Sequence, residues 1–234
     1  MKKNKRIYRI LAFMSAFVGL SMLAYVFSPL LAYELLAPRY ATYLSPVPLN
    51  EIPNFKADST ARDFTDPSTW FEGEVSLVDT GSSKVRFYNI SIPRLKIKDA
   101  TVAIGGEDLS DSLIQYPGTA YPGKRGNAVI FGHSILPQFY DPKDYLSIFS
   151  TLNTLKEGDE IVTNYDGVVY KYLIEDIFEV SPTDIQILEQ NSSSSFLTLV
   201  TCTPPGHPLR PRRLIVRARI TPYNTATNNG NTWN

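Results

Sequence analysis

The pattern of apolar and polar positions divides the chain into three regimes. The first nine residues, MKKNKRIYR, carry five positive charges and no negative one, and residues 10–33 are almost wholly apolar, the first acid arriving at Glu34. A run of that length spans a bilayer as one helix and exceeds the core of a typical leader peptide. The basic flank orients it with the N-terminus in the cytoplasm and everything beyond it outside the cell. A cleaved leader is the alternative, since Ala24 and Ala32 are small enough to offer a cut site. Residues 34–84 show little sustained periodicity, and Pro38, Pro46, Pro48 and Pro53 among polar residues read as a semi-rigid stalk over 37–61. Residues 63–70, DFTDPSTW, are less bland, because two aromatics sit beside an acid.

From residue 85 a period of two takes over. Residues 86–92, 101–104 and 128–133 read as short strands, and 160–164 with 168–180 as a hairpin around Tyr165-Asp166-Gly167. Residues 196–202 alternate, with Phe196, Thr198, Val200 and Cys202 on one face and Leu197, Leu199 and Thr201 on the other. Thr203-Pro204-Pro205-Gly206 breaks that strand, and another follows at 213–220. Apolar residues recur at helical spacing over 107–116 and 144–155, and 183–190 reads as a single helical turn. Residues 223–234 are polar and expected to be disordered. Many short strands with one or two short helices predict a mostly β fold, a closed or nearly closed barrel over 85–222, behind a transmembrane helix.

Charge and composition exclude more than they assign. Lys+Arg and Asp+Glu balance at 23 each, so no global basic field attracts nucleic acid. A single cysteine rules out a zinc-type cluster, and Cys202 with His207 makes at most half a site. No acidic pair stands out as a calcium site.

The single cysteine carries the candidate chemistry. If 196–202 and 213–220 pair antiparallel, Cys202 at the end of one lies beside Arg213 at the start of the other. A lone cysteine on a strand is more often a small buried apolar residue than a nucleophile. Two facts favour the nucleophile. An external thiol with no disulfide partner needs a reason to persist, and one of only two histidines, His133, also ends an apolar strand. Cysteine, histidine and arginine at strand ends suit acyl transfer through a thioester: thiolate attack, proton transfer by an imidazole that titrates near neutrality, and oxyanion stabilisation by a permanent cation. Arg210 and Arg212 rival Arg213, which is preferred because it opens the Leu214/Val216 alternation. His207, on the loop past the cysteine, reads as exposed rather than catalytic.

At these residues the chain resembles the sortases. Residues 198–202 read TLVTC, matching that family's T-L-x-T-C signature, and Arg213-Leu214-Ile215-Val216 matches the arginine that opens its last strand. Residues 117–123, PGTAYPG, followed by 126–133, GNAVIFGH, are similar to the region leading into its histidine. The resemblance spans roughly 85–222, with three motifs in order. It implies an eight-stranded barrel with His133, Cys202 and Arg213 as the catalytic triad. Thr201, which matches the motif, is expected to face outward and to shape the structure or the substrate path. The implied substrate is a surface protein bearing a C-terminal LPxTG-type sorting signal, cleaved between Thr and Gly. The implied acceptor is an amine of a cell-wall precursor or of a pilin. No cofactor is expected, with calcium assistance left open.

Two other classes compete. An L,D-transpeptidase is also thiol-based, but its histidine precedes its cysteine closely, whereas here it lies far upstream. A non-catalytic adhesin or assembly module on the same barrel would predict a damaged triad, and all three members are present. Pilin-polymerising sortases carry an N-terminal lid with an Asp-Pro-aromatic tripeptide. Asp66-Pro67 is separated from Trp70 by Ser68-Thr69, so a lid over 63–70, with Asp66 against Arg213 and Trp70 over the thiol, departs from that pattern by two residues.

Overall fold

The computed structural model describes residues 2–36, 65–71 and 85–222, so the stalk expected over 37–61 and the polar tail over 223–234 lie outside the described residues. The chain divides into two compact units, Met1–Tyr40 and Ala41–Asn234. In the first, a single helix, α1 (Lys2–Leu36), carries a stretch, Arg6–Ser28, long and apolar enough to cross a membrane. None of that stretch is buried.

The second unit is a barrel of eight strands: β1 (Phe87–Ile92), β2 (Ile97–Ile104), β3 (Leu113–Gln115), β4 (Gly126–Phe131), β5 (Glu160–Tyr165), β6 (Val168–Val180), β7 (Ser195–Thr203) and β8 (Arg212–Ile220). It closes in the order β1-β2-β3-β4-β7-β8-β6-β5, with β5 returning to β1. The β2–β3 and β4–β7 pairs are parallel, and the rest are antiparallel. Closure removes the open edges that a sheet of this size would otherwise expose.

Two apolar clusters lie on the two faces of this sheet. The inner one draws on all eight strands, with Ile90, Val102, Leu113, Ile130, Ile161, Tyr172, Leu199 and Val216 among its members. The outer one covers the back of β3, β4, β6, β7 and β8, and contains Val129, Phe131, Phe178, Val200, Cys202 and Ile215. A register shift between Ile174 and Asp176 in β6 moves its alternation by one residue. Ile174 therefore points inward, whereas Phe178 and Val180 join the outer cluster.

The outer cluster is roofed by a one-turn 3-10 element, Ile185–Leu188, within the single helical turn predicted at 183–190. A buried amide network fixes this roof. Gln190 Oε1 accepts from the Ala120 and Asn127 amides at 3.1 and 3.0 Å, and Asn127 Nδ2 donates to the Ile187 carbonyl at 2.9 Å. Thr198 Oγ1 completes it by donating to Asn127 Oδ1 at 2.7 Å.

Two predicted helices are absent. Residues 107–116 instead form turns followed by β3, because the Leu109 amide donates to the Thr65 carbonyl at 3.0 Å and the Ser110 amide to Asp108 Oδ1 at 2.8 Å. Over 144–155 only Leu152–Thr154 forms a 3-10 turn. The apolar residues are buried as their spacing predicts, but the backbone donors go elsewhere. The Phe149 amide donates to the His133 carbonyl at 3.0 Å, across the chain rather than one turn back.

Candidate active site

Strands β7 and β8 bring the thiol and a guanidinium together. Cys202 is the direct partner of Arg213 in the antiparallel register, and Thr203 that of Arg212. Directly opposed residues project from the same side of a sheet, so Cys202 and Arg213 share the outer face. Arg212 falls on the other face, where its Nη1 lies 3.2 Å from Glu179 Oε2 and Glu179 also accepts from Thr203 Oγ1 at 3.2 Å. Burial pushes the Glu179 carboxyl up, while Arg212 and then Thr203 pull it back. The shifted alternation of β6 is what turns Glu179 towards Arg212, so each of the two adjacent arginines has its own setting.

Arg213 is fully buried, at 0% exposure. Its Nε and Nη2 donate to the Trp70 carbonyl at 3.2 and 2.9 Å, and its Nη1 to the carbonyls of Arg210 and Arg212 at 2.9 and 3.1 Å. The guanidinium carbon also sits 5.5 Å from the centre of the Trp70 ring. Cys202 is 3% exposed, and burial pushes its thiol up, with Arg213 and then Arg210 pulling it back. Desolvation and the adjacent guanidinium thus act on the thiol in opposite directions, and desolvation is the larger.

His133 reaches the same place from β4. The strand ends at Phe131, two residues before the histidine, with Phe131 opposite Val200 in the parallel register. The Gly132 amide carries the ladder one step further, donating to the Val200 carbonyl at 3.2 Å. Continuing that register sets His133 level with Cys202. Gly132 has no room for a side chain, since a Cβ would lie 2.5 Å from Phe149 Cδ2 and 2.6 Å from Leu113 Cδ2. His133 is buried, with its ring centre 6.1 Å from that of Trp70.

Trp70 therefore meets both Arg213 and His133. It is 0% exposed and packs edge-on against Phe131 at 5.4 Å. Phe71 makes a second edge contact with Phe131 at 6.0 Å. Burial of two such rings stabilises the seated segment by roughly 2–3 kcal/mol each. The short 3-10 turn Pro67–Thr69 leads into them, and the Thr65 carbonyl ties the segment's start to Leu109.

Thr201, read as outward-facing, is instead buried on the inner face with Leu197 and Leu199. Its hydroxyl donates to the Gly132 carbonyl at 2.8 Å, bracing the residue before His133. His207 lies apart, on the β7–β8 loop, where its Nδ1 accepts from the Leu209 amide at 3.1 Å. That loop packs against the chain beyond His133. Gly206, at φ +75°, would place a Cβ 2.8 Å from the Leu136 backbone nitrogen. Among the described residues, no group of three or more His, Cys, Asp or Glu side chains is placed to hold a metal ion. Sequence reasoning passed over Ser134, Glu179, Asn127 and Gln190, because polar residues on short loops and strand ends carry no period that marks them.

Comparison with known proteins bears on the family and the fold. The family model described as the sortase domain matches residues 90–221, more than half of the chain. Sortase A of Streptococcus agalactiae serotype III is 25% identical over 179 residues, covering 76% of this chain and 70% of that protein. Among solved structures, a lid mutant of sortase A from Corynebacterium diphtheriae is 28% identical with a TM-score of 0.52, covering 62% of this chain and 75% of that one. The pilus-related sortase C of Group B Streptococcus is 27% identical with a TM-score of 0.51, covering 61% and 70% respectively. With the three motifs, the closed eight-stranded barrel and this match in hand, the chain belongs to the sortase family, whose members are transpeptidases acting on sorting signals and pilins.

Proposed function

We propose that the protein is a membrane-anchored cysteine transpeptidase in which Cys202 is the nucleophile, His133 the proton carrier and Arg213 the oxyanion partner. The observation that carries this reading is the register of Cys202 against Arg213, with Trp70 set against both Arg213 and His133. The thiolate attacks the carbonyl of the scissile peptide bond, and Arg213 neutralises the oxygen charge that develops. Collapse expels the amine, which takes a proton from His133, and leaves a thioester on Cys202. An incoming amine then loses its proton to His133, attacks the thioester and releases the thiolate. Thr201 contributes by holding Gly132, and through it the histidine loop, rather than by lining the substrate path.

The substrate in this reading is a surface protein with an LPxTG-type sorting signal, and the acceptor an amine of a cell-wall precursor or a pilin. Incubating the protein with a library of sorting-signal pentapeptides should yield a Cys202 acyl adduct by mass spectrometry that an added amine discharges. Absence of any adduct, while the thiol still reacts with a small alkylating agent, would favour a non-catalytic assembly module instead.

Residues 65–71 support a second element of the proposal, a lid. The Trp70 carbonyl takes two donors of the guanidinium that would otherwise serve a substrate oxygen, and the Trp70 ring and Phe71 occupy the outer cluster around the thiol. Removing the segment takes two rings out of the cluster that contains Cys202 and should lessen the desolvation that leads its raised pKa. The thiolate fraction at neutral pH then rises. Deletion of residues 63–70 should accelerate Cys202 alkylation severalfold, with the reactivity midpoint moving to lower pH. An unchanged rate and midpoint would make the segment a linker.

α1 sets the location in this reading: one pass, N-terminus in the cytoplasm, barrel outside. Protease added to wall-stripped cells should degrade the barrel and spare only the anchor. Full protection would reverse the orientation.

A further inference from the structure

The β4–β7 ladder runs out where the proposed chemistry begins. In a parallel pair the rungs repeat every second residue, so the Gly132 amide on the Val200 carbonyl calls next for the residue 134 amide on the Cys202 carbonyl. That rung is made by a side chain instead. Ser134 Oγ donates to the Cys202 carbonyl at 2.7 Å, and Ser134 is itself buried. The hydroxyl reaches the acceptor that the backbone amide would have taken, so the chain stays tied to β7 after its own strand has ended at Phe131.

Its surroundings hold the same short segment from every side. The His133 carbonyl accepts from the Phe149 amide at 3.0 Å, and the Ile135 amide donates to Ser150 Oγ at 2.8 Å. Thr201 Oγ1 donates to the Gly132 carbonyl at 2.8 Å. Of these bonds, only that of Ser134 joins the histidine loop directly to the peptide group of the cysteine.

We propose that Ser134 is a positioning residue: its hydroxyl, standing in for a missing ladder rung, sets the His133 ring against the Cys202 thiol. The inference rests on the functional reading above, and it concerns geometry rather than contact with substrate. The hydroxyl matters and the alkyl part does not, so threonine serves in its place whereas alanine and the threonine isostere valine do not.

The test uses the full-length protein in detergent micelles and needs no peptide. With one cysteine and two histidines in the chain, both readouts are assignable, the second histidine being silenced by His207→Gln. The readouts are the His133 ring titration by NMR and the rate of Cys202 labelling by iodoacetamide at neutral pH. Ser134→Ala and Ser134→Val should shift the titration midpoint and slow labelling roughly five- to tenfold, the size expected for one net hydrogen bond. Ser134→Thr should match the wild type in both. Should the alanine protein not fold, the threonine and valine pair decides alone. Wild-type titration and labelling in Ser134→Val, whatever its melting temperature, would overturn the inference, as would a threonine variant no better than valine. Peptide turnover surviving Cys202→Ala would instead sink the functional reading, and these two readouts would still decide the role of Ser134.

Discussion

Replacing Cys202 with alanine is expected to abolish transpeptidation and leave the barrel folded. The side chain sits in the outer cluster with Trp70, Val200 and Ile215, so the exchange removes one sulfur from a packed surface and no donor on which the fold depends. The stability change should be on the order of 1 kcal/mol. Its sign with pH follows from burial. The thiol is pushed up in the folded state, so the wild type is favoured below the ordinary thiol range and loses stability as pH rises through the folded pKa. The alanine protein lacks that loss. Thermal melts at neutral and alkaline pH, paired with a peptide-transfer assay, check both halves. Turnover within tenfold of the wild type would make another group the nucleophile.

Arg213→Lys should be the second most damaging exchange, costing roughly 2–4 kcal/mol of transition-state stabilisation, about thirty- to a thousandfold in kcat/KM. The guanidinium spreads its donors over three backbone carbonyls, those of Trp70, Arg210 and Arg212. A single ammonium has no planar fork with which to reproduce them. Arg212→Lys should retain most activity, because position 212 faces Glu179 on the inner side, where a lysine can still pair. Arg210→Lys should also be mild, since the Arg210 contact with Arg213 is made by its backbone carbonyl. If Arg212→Lys proved the crippling change, the outer-face assignment of Arg213 would be wrong.

How the two arginines divide shows what was legible beforehand. Strand period alone places Cys202 with Val200 and Arg213 with Ile215, and a hairpin-like pairing of two adjacent strands needs no distant information to set Cys202 beside Arg213. The apolar N-terminal run and the Asp166-Gly167 turn are local signals of the same kind. Each is visible because a repeat or a single residue's dihedral preference determines it within a few positions.

The tertiary structure decided what depends on distant partners. The register shift in β6 exchanges its faces, sends Phe178 and Val180 outward and turns Glu179 in to Arg212, with no glycine or proline to announce it. Residues 144–155 have helical spacing but give the Phe149 amide to His133, because supporting the histidine loop satisfies that donor as well as a helical turn would. Trp70 meets Arg213 across 143 positions of sequence. No period encodes that contact; it exists because the outer face of the barrel presents an apolar cluster that includes Cys202, and two aromatic rings gain more by packing on it than by staying in water.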